Sequence, residues 1–280
     1  MSAASDYPGD GMHRPPLLRL GAVTYLNARP LTRPLRQRLP AAEVRFDVPS
    51  RLAEELAAGD VDVALIPSVE AFRLPGCRAV SDVCIASRGE VLSVKLLCRV
   101  PVARIRRLAI DAGSRTSAAM TRIVLRERYG IDPVVESLAM HADYAQSDAD
   151  AVMLIGDRAM TARDCGFAAA LDMGKEWSDL AGSPMVYAMW TVRRSISPEV
   201  AAALATARDD GLAQIDEIVA EAGPELKLPV ALCREYLKER LQYRLGPAEQ
   251  EGLKHFYELA VRHGFAPSGV DLDAFDPAVA

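Results

Sequence analysis

Three features of the chain predict an α/β fold with two lobes. Apolar segments at Leu17–Tyr25, Ala41–Val48 and Val61–Pro67 alternate with helical patterns, the order of a parallel sheet covered on both faces. A second α/β series begins at Arg107, after a strand-rich stretch, Val80–Arg99, that reads as a crossing. The closing strand, Met185–Val192, runs into Arg193–Arg194 and gives the second crossing. Two lobes joined by two extended crossings describe a clamshell, with a ligand at the carboxyl ends of the strands. One continuous doubly wound sheet is the other reading of the same pattern.

The elements follow in order. Leu17–Tyr25 ends in β-formers and is closed by Arg29–Pro30, with Asn27 at the turn. Ser50 reads as a helix cap, with Glu54 and Glu55 in the early turns, Leu52, Leu56 and Ala57 on one face, and Gly59 as the stop. A turn at Arg88–Gly89 interrupts the first crossing. The second series reads as a strand at Arg107–Asp111, a helix at Ser117–Tyr129 stopped by Gly130, a strand at Ala149–Ile155 and a helix at Arg158–Cys165. From Pro198 the signals are helical, in capped segments around Pro198–Ala222, Pro229–Gln242 and Pro247–His263 that pack back on the first lobe. The divisions are a flexible tail over 1–16, a first lobe over 17–104 and 189–280, and a second over 105–188.

Composition narrows the function. The 33 basic and 38 acidic residues leave a net charge of −5, which argues against a nucleic-acid binder with a broad basic surface. The tail lacks the charged-then-apolar order of a secretory signal, and no apolar run approaches the roughly 20 residues of a membrane span. Five cysteines without knuckle or redox spacing fit a reducing cytoplasm. No phosphate loop, dinucleotide fingerprint or nucleophile elbow is present. His13, His141, His255 and His263 are remote in sequence from the strand ends, so neither a metal nor a cofactor is expected. Oligomeric state is left open.

Polar groups follow strands at Thr24–Asn27, Ile66–Ser68, Gly113–Ser117 and Ile155–Asp157. Gly113–Ser117 is the strongest anion candidate, because glycine permits close backbone approach and a helix start offers free N–H groups beside hydroxyls. Plain N-capping is the alternative there, and also for Asn27 and for Asp157 ahead of a helix at Arg158. Ser93, in an apolar strand, matters only if its face lines a cleft. Arg104, Arg106 and Arg107 read as a solvated face, and Trp177 and Trp190 as core.

These stretches resemble the chorismate dehydratases of the futalosine route to menaquinone, a family with a fold like the type II periplasmic binding proteins. The resemblance is carried by Gly21–Asn27 with Pro30–Leu31, Asp62–Ser68, Ser87, Gly89, Val91, Ser93–Val94, Ser114–Ser117 and Leu154–Asp157. Asp172, Gly174, Trp177, Gly182, Pro184 and Trp190 complete it. It implies loss of water from chorismate, a small dicarboxylate, to give 3-[(1-carboxyvinyl)oxy]benzoate, with no cofactor. It further implies that Asn27 and Ser93 are catalytic and that Thr116 and Ser117 hold a substrate carboxylate. Ser68, Ser87, Gly89, Gly156 and Asp157 would line the cleft. Since these motifs hold no His, Glu or Lys base, the substrate's own enolpyruvyl carboxylate is the expected proton acceptor. Departures occur at Ala181–Pro184, where the family pattern is Thr-Gly-Leu-Pro, and at Met173 and Met185. The alternatives are a sibling enzyme acting on cyclic dehypoxanthine futalosine, which uses a histidine, and a non-catalytic anion binder.

Overall fold

The computed structural model describes residues 17–163 and 165–276, so the tail at 1–16 lies outside the described residues. Its strands are β1 (Arg19–Val23), β2 (Glu43–Asp47), β3 (Val63–Pro67), β4 (Arg78–Ser87), β5 (Val94–Cys98), β6 (Arg107–Asp111), β7 (Val134–Leu138), β8 (Ala151–Ile155), β9 (Ala169–Asp172), β10 (Met185–Val192) and β11 (Leu241–Arg244). They form two sheets, one ordered β11-β4-β10-β3-β1-β2 and the other β7-β6-β8-β5-β9. The clamshell is therefore the arrangement adopted, and the single continuous sheet is not.

Each sheet has a parallel half, β2-β1-β3 in one and β7-β6-β8 in the other, extended by antiparallel strands that carry the crossings. β5 pairs antiparallel with β8 and β9, which puts it in the second sheet. The first crossing thus spans 88–93 rather than lying near 104. β10 pairs with β4 from Met185 to Val192 and with β3 from Ala188 to Val192, so the return crossing precedes Met185 instead of following 188. The physical reason is burial: β5 is an apolar run flanked on both sides, the setting in which a strand needs no polar alternation.

Three short strands carry no sequence signal. β7 and β9 are edge strands with mostly exposed side chains, and β11 follows a helical segment that widens into a π-turn at Tyr236–Arg240. Two helix starts also differ from expectation. Pro49, not a Ser50 cap, opens the helix Pro49–Ala58, with Ser50 buried inside it. The helix after β8 is only Gly156–Met160, with Asp157 in its first turn.

The helix Pro49–Ala58 covers β1 and β3, and the helix Pro198–Ala213 covers β4. The helix Pro247–Arg262 packs on β10 and also on the second-lobe helix Thr116–Tyr129. An aromatic chain joins the lobes: Phe256 meets the Trp177 ring edge-on at 5.8 Å and lies 6.1 Å from the Phe72 ring. Trp177 and Trp190 are both fully buried, as core.

The first crossing is tightly specified. Ser93 N–H donates to the Val91 carbonyl at 2.7 Å, closing a three-residue turn with Leu92 at φ +62°. A branched aliphatic residue in that region is strained, and the turn persists only where its surroundings over-determine it. Asp172 supplies the determination. Its carboxylate accepts Val91 N–H and Leu92 N–H, and also the N–H groups of Gly174 and Lys175 at the start of the helix Met173–Ala181. Gly174 is needed there, since a Cβ would meet the Gly89 carbonyl at 2.5 Å.

Asp172→Ala removes a helix cap and the acceptor for two crossing N–H groups, so a loss of about 2–3 kcal/mol is expected. Urea unfolding checks it; an unchanged midpoint would contradict the role assigned to the carboxylate.

Candidate active site

The carboxyl ends of β1 and β3 in the first sheet face the ends of β6 and β8 in the second across a narrow cleft of about 70 Å³. Asn27, Ser93, Thr116, Ser117 and Gly156 all line it, with Tyr25, Ser114, Arg115 and Tyr187. Four of the other expected residues lie just behind. Ser68 is fully buried and donates to the Val186 carbonyl at 2.8 Å, so it ties β3 to β10. Ser87 lies 3.1 Å from the Tyr187 hydroxyl and 3.5 Å from the Gly89 carbonyl, and Gly89, at φ +112°, turns the first crossing. Asp157 directs its carboxylate away from the cleft, to Leu26 N–H.

One wall is the start of the fourteen-residue helix Thr116–Tyr129. No side chain caps it, so its first N–H groups and the positive end of its dipole are open to the cleft. N-capping, the alternative reading of this stretch, is thus not what the hydroxyls do. Ser114 Oγ is buried without a partner, while Thr116 Oγ1 accepts Val69 N–H at 3.2 Å and keeps its own proton to donate. Arg115 adds a cation held loosely, 3.6 Å from Glu54 and 3.8 Å from Glu70. Asp111 shapes the approach by accepting Gly113 N–H at 3.2 Å while pairing with Arg158; burial pushes its pKa up. Such a wall suits a carboxylate.

The opposite side carries neutral donors. Asn27 comes from a 3₁₀ turn after β1, and its Oδ1 is buried without a partner. Ser93 leaves the first crossing just ahead of β5, so the two arrive from different lobes. Tyr236, fully buried at the start of the π-turn, faces both; burial pushes its hydroxyl's pKa far up, against the easing effect of Ser93 and Asn27. Burial likewise keeps Tyr25 and Tyr187 protonated, Tyr25 with help from the charges of Asp111 and Asp157. None of the three tyrosines was singled out by sequence reasoning. Tyr25 lies inside the strand-end stretch that carries Asn27, which is the signal that could have found it. The ensemble can hold anions and donate hydrogen bonds, and no described lining residue is a histidine, carboxylate or lysine.

The family model for menaquinone biosynthesis matches residues 18–262. The chain belongs to this menaquinone-biosynthesis family. It is 30% identical to a curated chorismate dehydratase of Thermus thermophilus, over 89% of this chain and 96% of that one. Solved structures share the fold at lower identity. An Archaeoglobus fulgidus protein superposes with a TM-score of 0.70 at 16% identity, covering 90% of this chain and 99% of its own. The periplasmic aliphatic sulphonate binding protein of Escherichia coli gives 0.64 at 18%, covering 93% and 91%. Across the cleft, the Tyr25 ring of the first lobe packs against Gly156 of the second. A Cβ on Gly156 would lie 3.1 Å from the Tyr25 ring, and the residue's φ is +60°.

Gly156→Ala therefore combines a left-handed backbone cost of about 1–2 kcal/mol with displacement of the Tyr25 ring. We expect lobes held further apart, read as a larger radius of gyration in small-angle scattering; an unchanged radius would contradict the packing described.

Proposed function

We propose that the protein is a chorismate dehydratase, a hydro-lyase of the futalosine route to menaquinone working in the cytoplasm. The observation that carries this reading is the meeting of Asn27 and Ser93, from different lobes, beside an uncapped helix start. The identity to the Thermus thermophilus chorismate dehydratase supports it. The cysteines, all unpaired among the described residues, are compatible with a reducing compartment.

In this reaction the ring carbon bearing the enolpyruvyl ether loses its proton, and the electron pair delocalises through the adjoining double bond towards the ring carboxylate. The neighbouring hydroxyl then departs, and proton and hydroxyl together make one water. Aromatisation supplies the driving force. The chain's tasks are to hold two carboxylates, to fix the conformer in which the acceptor reaches the proton, and to donate hydrogen bonds to developing charge. The helix start with Ser114, Thr116 and Ser117 suits one carboxylate. Asn27 and Ser93 suit the other, the enolpyruvyl carboxylate, which takes the proton itself because the described lining offers no histidine, carboxylate or lysine to accept it. Tyr25 and Tyr187, held protonated, are hydroxyl donors at the same cleft. The absence of histidine from the described lining favours this substrate over cyclic dehypoxanthine futalosine.

Incubation of the purified protein with chorismate alone, followed by chromatography with mass detection, tests the reading. A product lighter by one water is expected; unchanged chorismate with folded protein would overturn it and leave an anion binder.

Asn27→Ala and Ser93→Ala should each lower kcat by about 100-fold or more with little change in substrate affinity. Ser117→Ala should chiefly raise KM. Steady-state kinetics separates the two patterns, and full turnover in the Asn27 and Ser93 variants would remove them from the chemistry.

A further inference from the structure

Asp157 lies on the second lobe just after β8, yet its carboxylate accepts the backbone N–H of Leu26 in the first lobe, at 3.0 Å to one oxygen and 3.3 Å to the other. Leu26 immediately precedes Asn27 and opens the turn Leu26–Ala28 that carries it. No side chain within that turn's own cap holds it. On the other side of the same dipeptide, Gly156 N–H donates to the Ser93 carbonyl at 2.8 Å. Gly156 also leaves the space into which the Tyr25 ring packs. Two consecutive residues of one lobe thus grip the backbone of both Ser93 and the Asn27 turn.

We propose that Asp157, with Gly156, is a positioning residue: an interlobe clasp that sets Asn27 opposite Ser93 when the lobes close. Burial pushes the carboxyl's pKa up, while the Leu26 N–H that it accepts, and the charge of Arg29, favour the anion. An anionic acceptor to a backbone N–H is roughly twice as strong as a neutral one, and stronger still where water is excluded. Opening the lobes breaks the bond and releases the Asn27 turn, so the site is assembled only in the closed form. The roles of Asn27 and Ser93 rest on the dehydratase reading; the clasp does not.

The test compares Asp157→Ala and Asp157→Asn in the full chain, by amide hydrogen exchange and by kinetics with chorismate. In Asp157→Ala the Leu26 amide should exchange at least about 10-fold faster than in the parent. Its kcat should fall roughly 10- to 100-fold while KM stays within about threefold. Asp157→Asn, which keeps an acceptor oxygen, should recover most of both. A Leu26 amide equally protected in Asp157→Ala overturns the clasp. So does a lowered unfolding midpoint with kcat per folded molecule unchanged, the mark of a merely structural role. If the parent leaves chorismate unchanged, the dehydratase reading fails, and the exchange data alone still decide the clasp.

Discussion

Two backbone N–H groups of the first lobe, those of Leu26 and Val69, find their acceptors on the second, at Asp157 and Thr116. A buried donor without an acceptor costs about 1–3 kcal/mol, so each bond ties the local conformation of a strand end to the approach of the other lobe. The strand ends concerned are those that carry Asn27 and Ser68, on β1 and β3. Their acceptors follow β8 and β6, two adjacent strands of the second sheet's parallel half. The cleft is thus specified from both sides at once, and its shape is a property of the closed pair rather than of either lobe.

Away from the cleft lining, the helix Pro247–Arg262 and the Trp177–Phe256–Phe72 chain join the lobes through apolar contact. Such contact is non-directional and tolerates small rotations, whereas the hydrogen bonds at the cleft do not. The combination gives apolar contacts that hold the lobes together and hydrogen bonds that register closure. It also explains why the crossing at 88–93 is so closely determined. Ser93 must leave a strained turn at Leu92 with its side chain towards the cleft, and the four N–H groups gathered by Asp172 keep it there. Donors fixed before charge develops need no reorganisation, which is the electrostatic advantage available to neutral donors such as Asn27 and Ser93.

Much of this was legible in the sequence because it follows from periodicity and from chemistry at strand ends. The buried strands β1, β3, β6 and β8 and the long β4 and β10 read as apolar runs, and the residues just beyond them supply Asn27, Gly113–Ser117 and Gly156 to one cleft. Sequence pattern could not show which sheet an antiparallel crossing strand joins, since Val94–Cys98 suits either; pairing with β8 decides it. Nor could it separate residues that line the cleft from those one layer behind, such as Ser68 and Ser87, because strand register and side-chain direction fix that difference. Asp157 is the sharpest case. A carboxylate after glycine at a helix start is ordinarily a cap, and its true acceptor role spans 131 positions in the chain. Tyr236 was hidden for a similar reason, being delivered by a π-turn inside a helical pattern.

In the proposed dehydratase, the closed cleft seats a dicarboxylate with one carboxylate on the helix start at Thr116 and the reacting face between Asn27 and Ser93. A crystal structure of the Asn27→Ala variant soaked with chorismate tests it most directly. Intact chorismate is expected, with a carboxylate against the N–H groups of Thr116 and Ser117 and the enolpyruvyl group towards Ser93. Chorismate bound outside this cleft, or bound in it with both carboxylates away from the helix start, would contradict it.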